Sequence, residues 1–373
     1  MKLEEAVREV RGLDQKAMEE AKIRWDHVAK PLNSLGLLEE AVIRIAGIQE
    51  SAAVCLDHKA AAVFCGDNGI VEEGVTQTGQ EVTAVVAENF SRGQSCVCIM
   101  AEQAGAKVIP VDMGICKPLS CYGNPVGPSG KNGENSLPAG IKYPVVNCRI
   151  MDGTRNFLKG PAMEREQAAA AVEAGIRMAG QIKELGYHIL ATGEMGIGNT
   201  TTSSAVIAAL LEKDPREVTG RGAGLDSEGL KRKIQVIRRG LALHDPDPQD
   251  GLDLLSKVGG LDLAGMAGAF IGGALYRIPM VIDGVISAAA ALAAVTICPA
   301  AAGYMLASHV SREPAHQMVL DRLGLTPVIH GQMCLGEGTG AVALFPLLDM
   351  AAAVYGRMRT FQDIQIEEYR PLS

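Results

Sequence analysis

The chain is poor in aromatic residues, with one Trp, seven Tyr and six Phe among 373 residues. That leaves too little ring surface for the stacking platforms that grip single-stranded nucleic acid. No Lys/Arg patch of the kind a general nucleic-acid binder carries occurs either. Basic residues number 35 against 43 acidic ones, a net charge of −8. The basic footprint of a general nucleic-acid binder is therefore missing, and no nucleic-acid partner is expected. What this charge mainly serves is solubility. Cysteine is present, but its nine copies are scattered and form no CxxC pair. This suits a reducing compartment better than a disulfide framework or a zinc site. The opening MKLEEAVREV has acidic residues where a signal peptide needs an apolar run. A cytoplasmic protein is the expectation. Long uncharged runs are rare too. Gly284–Ser308 has 25 residues without a charge, long enough to span a bilayer. It is Ala-rich, broken by Pro299 and Gly303, and bounded by Asp283 and His309. It reads as a buried helix followed by a buried strand, with no membrane partner.

What is present is a globular composition. Hydrophobic residues make up 47% and charged residues 21%, which excludes wholesale disorder. At roughly 150 residues per domain the length suggests about two domains. A chain this long buries about three quarters of its unfolded surface and needs no disulfide or metal to hold a core. Residues 1–50 read as helices, with Leu3, Val7, Val10 and Leu13 at helical spacing. A break at Lys30–Gly36 precedes a second helical pattern over Leu37–Gln49.

From about residue 60 short apolar runs end in Gly-rich loops that open helices. The runs are Ala60–Cys65, Lys107–Val111, His188–Thr192, Pro279–Ile282, Tyr304–Ala307 and Pro327–Ile329. Helical candidates lie between them, such as Glu164–Leu185. Strand alternating with helix predicts an α/β fold with a mostly parallel sheet. Ligands bind beyond the carboxyl ends of such strands, so these loops should converge on one crevice. The Gly/Pro/Asn/Ser-rich Lys117–Pro144 reads as an irregular excursion.

Four segments could carry chemistry. Gly193–Ser204 runs from a strand through three glycines into Asn199-Thr200-Thr201-Thr202. Glycines admit a ligand close to the backbone, and a helix N-terminus suits a phosphate. The plain alternative is a Gly-rich turn with a capping Thr. Gly336-Glu337-Gly338 presents a carboxylate with backbone close on either side. It serves either as a catalytic group or as an exposed loop acid. Asp283-Gly284 ends an apolar strand, where the carboxylate either accepts bonds from sugar hydroxyls or caps a helix. His309, Glu313 and His316 have near-helical spacing, but Pro314 interrupts them and no further ligand is evident, so no metal is expected. The phosphate-loop GK[ST], the dinucleotide GxGxxG and the hydrolase GxSxG are all missing. So are the paired aspartates with which diphosphate-dependent ribosyltransferases hold magnesium.

Several segments together resemble one family. They are Lys30-Pro31 with Ser34–Glu39 and Ile48-Gln49; Gly66–Ile70 with Gln80–Thr83 and Asn89-Phe90; and Gly153–Phe157. Gly193–Thr202, Gly220–Gly222, Asp283-Gly284 and Gly336–Gly340 follow in the same order. Over about residues 25–350 this resembles the nicotinate-nucleotide–dimethylbenzimidazole phosphoribosyltransferases of cobalamin nucleotide-loop assembly. One departure is Asn68, where the family more often has His. If that position touches the acceptor base, base preference differs here.

The resemblance implies a reaction. Phosphoribose passes from nicotinate mononucleotide to 5,6-dimethylbenzimidazole without metal, diphosphate donor or cofactor. It also implies a homodimer. Each chain would have a large α/β domain (residues 55–330), Rossmann-like in its sheet and flanking helices. A small helical domain would come from both chain ends (residues 1–54 and 331–373). Glu337 matches the family's proton acceptor, and Glu194 is the candidate second negative charge beside the ribosyl cation. Gly196, Gly198, Asn199 and Thr200 would face the donor phosphate or ribose. Lys233 would supply a cationic partner, unless it is an ordinary surface lysine. Gly222, Asp283, Gly284, Val310 and Ser311 would line the nucleotide site. Thr76 to Thr83, with Thr76 and Gln80 foremost, and Leu335 would form the base pocket. The alternatives are a different acceptor base, such as a phenol or purine, and a non-catalytic nucleotide-binding subunit. A dinucleotide-dependent oxidoreductase is disfavoured by the missing GxGxxG.

Overall fold

Lys59–Gly66 is buried at all eight positions, the continuous burial expected of a parallel strand covered on both faces. In the computed structural model, which describes residues 1–125, 127 and 140–369, this strand (β1) starts the sheet. Before it come α1 (Leu3–Glu9), α2 (Gln15–His27) and α3 (Leu37–Gln49). After it come α4 (Glu81–Arg92), α5 (Cys96–Gln103), β2 (Ala106–Gly114), β3 (Val146–Asn147), α6 (Arg165–Glu184) and β4 (Ile189–Met195). Five helices then separate β4 from β5 (Met280–Ile282): α7 (Asn199–Leu210), α8 (Pro215–Val218), α9 (Ser227–His244), α10 (Gly251–Val258) and α11 (Leu261–Leu275). The chain continues through α12 (Val285–Ile297), β6 (Met305–Ala307), α13 (Ala315–Leu323) and α14 (Thr339–Arg357).

The sheet order is β3-β2-β1-β4-β5-β6, and every pairing is parallel. This is the doubly wound order of dinucleotide-type sheets, whose direction of winding reverses between β1 and β4. Successive side chains point to opposite faces. Ala60, Ala62 and Phe64 join α6, α11 and α12 in one core cluster. Ala61, Val63 and Cys65 join α4, α5 and α14 in another.

Five of the six expected runs are strands. The sixth, Pro327–Ile329, makes only an isolated bridge between His309 and Ile329, because Pro327 has no N–H for a ladder. The sixth strand is instead β3, whose two residues are too few to show a period. Gly284–Ser308 is α12, a 3₁₀ turn over Pro299–Tyr304 and β6, largely within the core. Among the described residues one helix, α14, is long and apolar enough to cross a membrane by length and composition. It is half buried and contacts α3 and α5. Residues 126 and 128–139 of the Lys117–Pro144 excursion lie outside the described residues.

Both chain ends meet in a separate cluster of Trp25, Val28, Val42, Ala46, Ala351 and Tyr355. The Trp25 and Tyr355 rings are 5.1 Å apart. α1 lies elsewhere, against α6 and α11, with Leu3 and Ala6 in the main core. The Lys30-to-Glu39 segment has a structural explanation. Lys30 Nζ donates to Glu39 Oε1 at 2.7 Å, which also accepts the Leu35 N–H at 2.8 Å. Both side chains are buried. Glu39→Ala leaves an unpaired buried ammonium and is expected to cost about 3 kcal/mol. Urea unfolding measures this, and an unchanged midpoint would mean that the pair contributes nothing.

Candidate active site

The strand ends deliver carboxylates to the switch point: Asp67 after β1, Glu194 at the end of β4 and Asp283 after β5. A cleft of about 260 Å³ opens there. Its polar wall includes Glu194, Asn199, Thr200, Asp283, Ser311, Glu313 and Glu337. Val86, Ile197, Val285, Ile286 and Leu335 form an apolar wall. Gly196, Gly222 and Gly284 also line it.

Glu337 sits in an unusual turn. Gly336, Glu337 and Gly338 have φ of 90°, 61° and 96°. Glycine adopts this left-handed region freely, but a side chain there costs of order 1 kcal/mol and needs its surroundings to hold it. Two contacts do so. Glu337 Oε2 accepts the Val97 N–H of α5 at 3.2 Å. Asp283 Oδ2 accepts the Gly338 N–H at 3.1 Å, and its Oδ1 accepts the Ala341 N–H at 3.0 Å. Asp283 therefore caps α14 from across the sheet, which is the capping role weighed in the sequence, with a helix distant in the chain. Gly193 lies flat beneath the turn, since a Cβ there would fall on the Glu337 carbonyl oxygen. Burial raises the pKa of Glu337, the Val97 N–H opposes this, and the Asp283 charge adds to it. Asp283 itself is raised by burial, opposed by His309.

Glu194 is 7% exposed, and the Gly336 backbone presses against its carboxylate. The Asn199 amide Nδ2 donates to Glu194 Oε2 and, at 3.0 Å, to Asp262 Oδ2. Asn199 is thus turned toward two carboxylates. Burial first, then Asp262, push the Glu194 pKa up to about 8, against the Asn199 bond.

Lys233 is not a surface lysine. It is fully buried on α9, and its Nζ donates to Thr200 Oγ1 at 2.8 Å and to Gly220 O at 3.3 Å. Burial lowers its pKa to about 8, opposed by Glu313. It stands behind the α7 N-terminus rather than on the cleft wall. Glu313 Oε1 accepts the Gly222 N–H at 3.2 Å.

The structure brings ten of the expected residues to the wall and leaves Gly198, Lys233, Val310, Thr76 and Gln80 off it. Gly198 (φ 96°) precedes α7, and the Val310 N–H bonds Ile329 O at 3.1 Å. Thr76 Oγ1 bonds Thr78 O at 2.8 Å, and Gln80 Nε2 bonds Asn68 O at 2.9 Å. Asn68 is fully buried behind the 196–198 loop, bonding Gly66 O and Ile197 O, so it does not touch the cleft. Sequence reasoning passed over Val86, Ile286 and the wall role of Glu313. It also passed over Asp262, a lone carboxylate in an apolar helix. That pattern is itself a signal, since a buried charge needs a reason.

The His309, Glu313 and His316 side chains turn to different partners, namely Ser308 Oγ, the Gly222 N–H and the Ser311 N–H. Among the described residues no group of three or more His, Cys, Asp or Glu could hold a metal ion. His316 Nδ1 accepts the Ser311 N–H at 2.9 Å, and burial first, then His309, lower its pKa to about 3. Its folded value lies below the unfolded value of about 6.5. The neutral form therefore stabilises the fold above that pH. That contribution is lost by about 1.4 kcal/mol per unit as pH falls from about 6.5 toward 3. Unfolding at pH 7 and pH 5 measures it, and His316→Asn should flatten the dependence. An equal slope in the variant would assign it to other groups.

A doubly wound sheet with a cleft of buried carboxylates and a glycine-rich helix N-terminus at its switch point defines an α/β enzyme that handles a nucleotide. The phosphoribosyltransferase family model matches residues 10–366, and the chain belongs to that family. It is 42% identical over 372 residues to the nicotinate-nucleotide–dimethylbenzimidazole phosphoribosyltransferase of Ruminiclostridium cellulolyticum, covering 100% of both chains. The Roseiflexus sp. enzyme of the same name is 44% identical over 359 residues, 96% of each chain. A solved structure of that enzyme from Thermus thermophilus matches with a TM-score of 0.84. It is 36% identical, and the match covers 96% of this chain and 100% of that one.

Proposed function

We propose that the chain transfers phosphoribose from nicotinate mononucleotide to 5,6-dimethylbenzimidazole or a related lower-ligand base. The products are α-ribazole 5′-phosphate and nicotinate, in cobalamin nucleotide-loop assembly. The observation that carries this reading is the Glu337 carboxylate, clamped in a left-handed turn between two glycines at a cleft with one apolar wall. A flat base lies against Val86, Ile197, Ile286 and Leu335. One of its nitrogens attacks the anomeric carbon, and the bond from that carbon to the nicotinate ring nitrogen breaks with its electron pair on the ring. The leaving pyridinium departs as a neutral ring, so no general acid is needed. The other base nitrogen loses its proton to Glu337, whose raised pKa suits a general base. Attack from the opposite face turns a β donor into an α product.

Glu194 is the negative charge for the ribosyl cation. The α7 N-terminus and the Gly222 loop receive the phosphate, with Lys233 supporting Thr200 from behind. The homodimer is supported by Val85, Ile99 and Leu335, exposed apolar residues on segments bordering the cleft. A small domain from both chain ends is supported by the Trp25–Tyr355 cluster. A cytoplasmic location is supported by nine free thiols.

A competition assay tests the acceptor. With one donor and equal amounts of 5,6-dimethylbenzimidazole, adenine and phenol, the benzimidazole riboside should dominate. A phenol- or purine-derived product alone would transfer the same chemistry to another acceptor, and donor binding without any product would favour a non-catalytic subunit.

A further inference from the structure

Two buried carboxylates, one on the cleft wall and one behind it, share one amide. Glu194 closes β4, and Asp262 lies in the first turn of α11. Their partner Asn199 begins α7, and its single Nδ2 donates to an oxygen of each. Asp262 is fully buried and Glu194 nearly so. The chain is shaped around Asp262. A Cβ on Gly196 would come within 2.7 Å of its Oδ2, and a Cβ on Gly260 would collide with its Oδ1. That same Gly260 Cβ would meet the Asn68 side-chain oxygen at 2.6 Å, and this oxygen has no hydrogen-bond partner.

Among the described residues, no positive group is among the main influences on this pair. The charges acting on Glu194 are Asp262, Asp283 from the end of β5 and Glu337 from its loop. Asp67, after β1, acts on Asp262. The Cys65 thiol of β1, on which both acids act, is held protonated by burial and by these same charges. Of the groups able to carry positive charge, Lys233 bonds Thr200 and Gly220, and His309 bonds Ser308. Two ionised carboxylates on one amide, buried without a cation, repel each other strongly, and a shared proton relieves this. A ligand that brings a positive charge relieves it equally well.

We propose that Glu194, Asn199 and Asp262 form a proton reservoir. The empty cleft stores one proton between the two carboxylates, and a donor with a positively charged ring expels it to solvent, leaving Glu194 ionised for the reaction. Asp262 is the positioning residue of this device. It raises the proton affinity of Glu194 before binding and fixes the Asn199 amide after it. The proposal rests on the donor assigned above, whose ring is a pyridinium.

Calorimetry of nicotinate mononucleotide binding at pH 7.5, in buffers of different ionisation enthalpy, counts the protons released. At that pH the donor phosphate is already almost fully ionised, its second pKa being about 6. The wild-type chain should release roughly half a proton or more per donor. Glu337→Gln should still release most of this proton, somewhat reduced because the Glu337 charge also acts on Glu194, which excludes that carboxylate as the main source. Asp262→Asn should still bind donor but release less than about a third as much, and the pH dependence of its donor KM between pH 6 and 8 should flatten. If Asp262→Asn does not fold by circular dichroism, Glu194→Gln must abolish the release instead. Donor binding without proton release in the wild type, or full release in either of these variants, would overturn the proposal. A wild type that binds no donor in any buffer would sink the functional reading and this proposal with it, whereas binding without release sinks the proposal alone.

Discussion

Replacing Glu337 by Gln should lower kcat by about 10²–10⁴-fold, the usual contribution of a positioned general base, and leave the donor KM within about twofold. The amide keeps the volume of the side chain and can still accept the Val97 N–H that the carboxylate holds at 3.2 Å. The left-handed turn flanked by Gly336 and Gly338 is unchanged by the substitution. Only the capacity to take a proton is lost. Steady-state kinetics separate the two parameters. A variant with wild-type kcat would remove the base role, and one with a large rise in donor KM alone would make Glu337 a binding residue.

The second large effect belongs to Asp283→Ala. Both carboxylate oxygens accept N–H groups of the α14 start, at 3.1 and 3.0 Å, and the side chain is 2% exposed. Buried hydrogen bonds to a charged group contribute about 1.5–3 kcal/mol each. The orphaned N–H groups add their own penalty, so a loss of about 3 kcal/mol or more is expected in urea. The kcat should fall as well, because the Gly338 N–H anchors the residue next to Glu337. The two readouts are independent. Lost stability with normal kcat would leave Asp283 a cap and nothing else, and neither effect would contradict the geometry.

The parts of this arrangement written locally were legible in the sequence. β1 is an apolar run that ends at Gly66 and β4 one that runs through Gly193 and stops just before Gly196, and their register places Cys65 opposite Met195 at the sheet's carboxyl edge. The Gly193–Thr202 loop and the Gly336–Gly338 turn declared themselves through glycines that a close approach or a positive φ requires. The contacts that give those groups their properties cross long stretches of chain. Asp283 caps a helix more than fifty residues away, and Asn199 reaches Asp262 on α11. Val97 comes to Glu337 from α5, 240 residues earlier in the chain. No periodicity encodes such pairings. The base-pocket expectation shows the same limit. Thr76 and Gln80 precede α4, but Thr76 Oγ1 closes a turn on Thr78 and Gln80 Nε2 reaches back to Asn68, while Val86, within α4, reaches the cleft. The sequence leaves Lys233 between a cationic partner and a surface lysine, because the α9 face it occupies is set by packing against α7.

The most direct test of the account is one incubation. The protein is mixed with nicotinate mononucleotide and 5,6-dimethylbenzimidazole in the presence of a chelator, and the products are separated and assigned by mass and by anomeric configuration. The account predicts one nicotinate released for each α-linked riboside monophosphate formed. A β-linked product, or nicotinate released at the same rate with no base present, would contradict it.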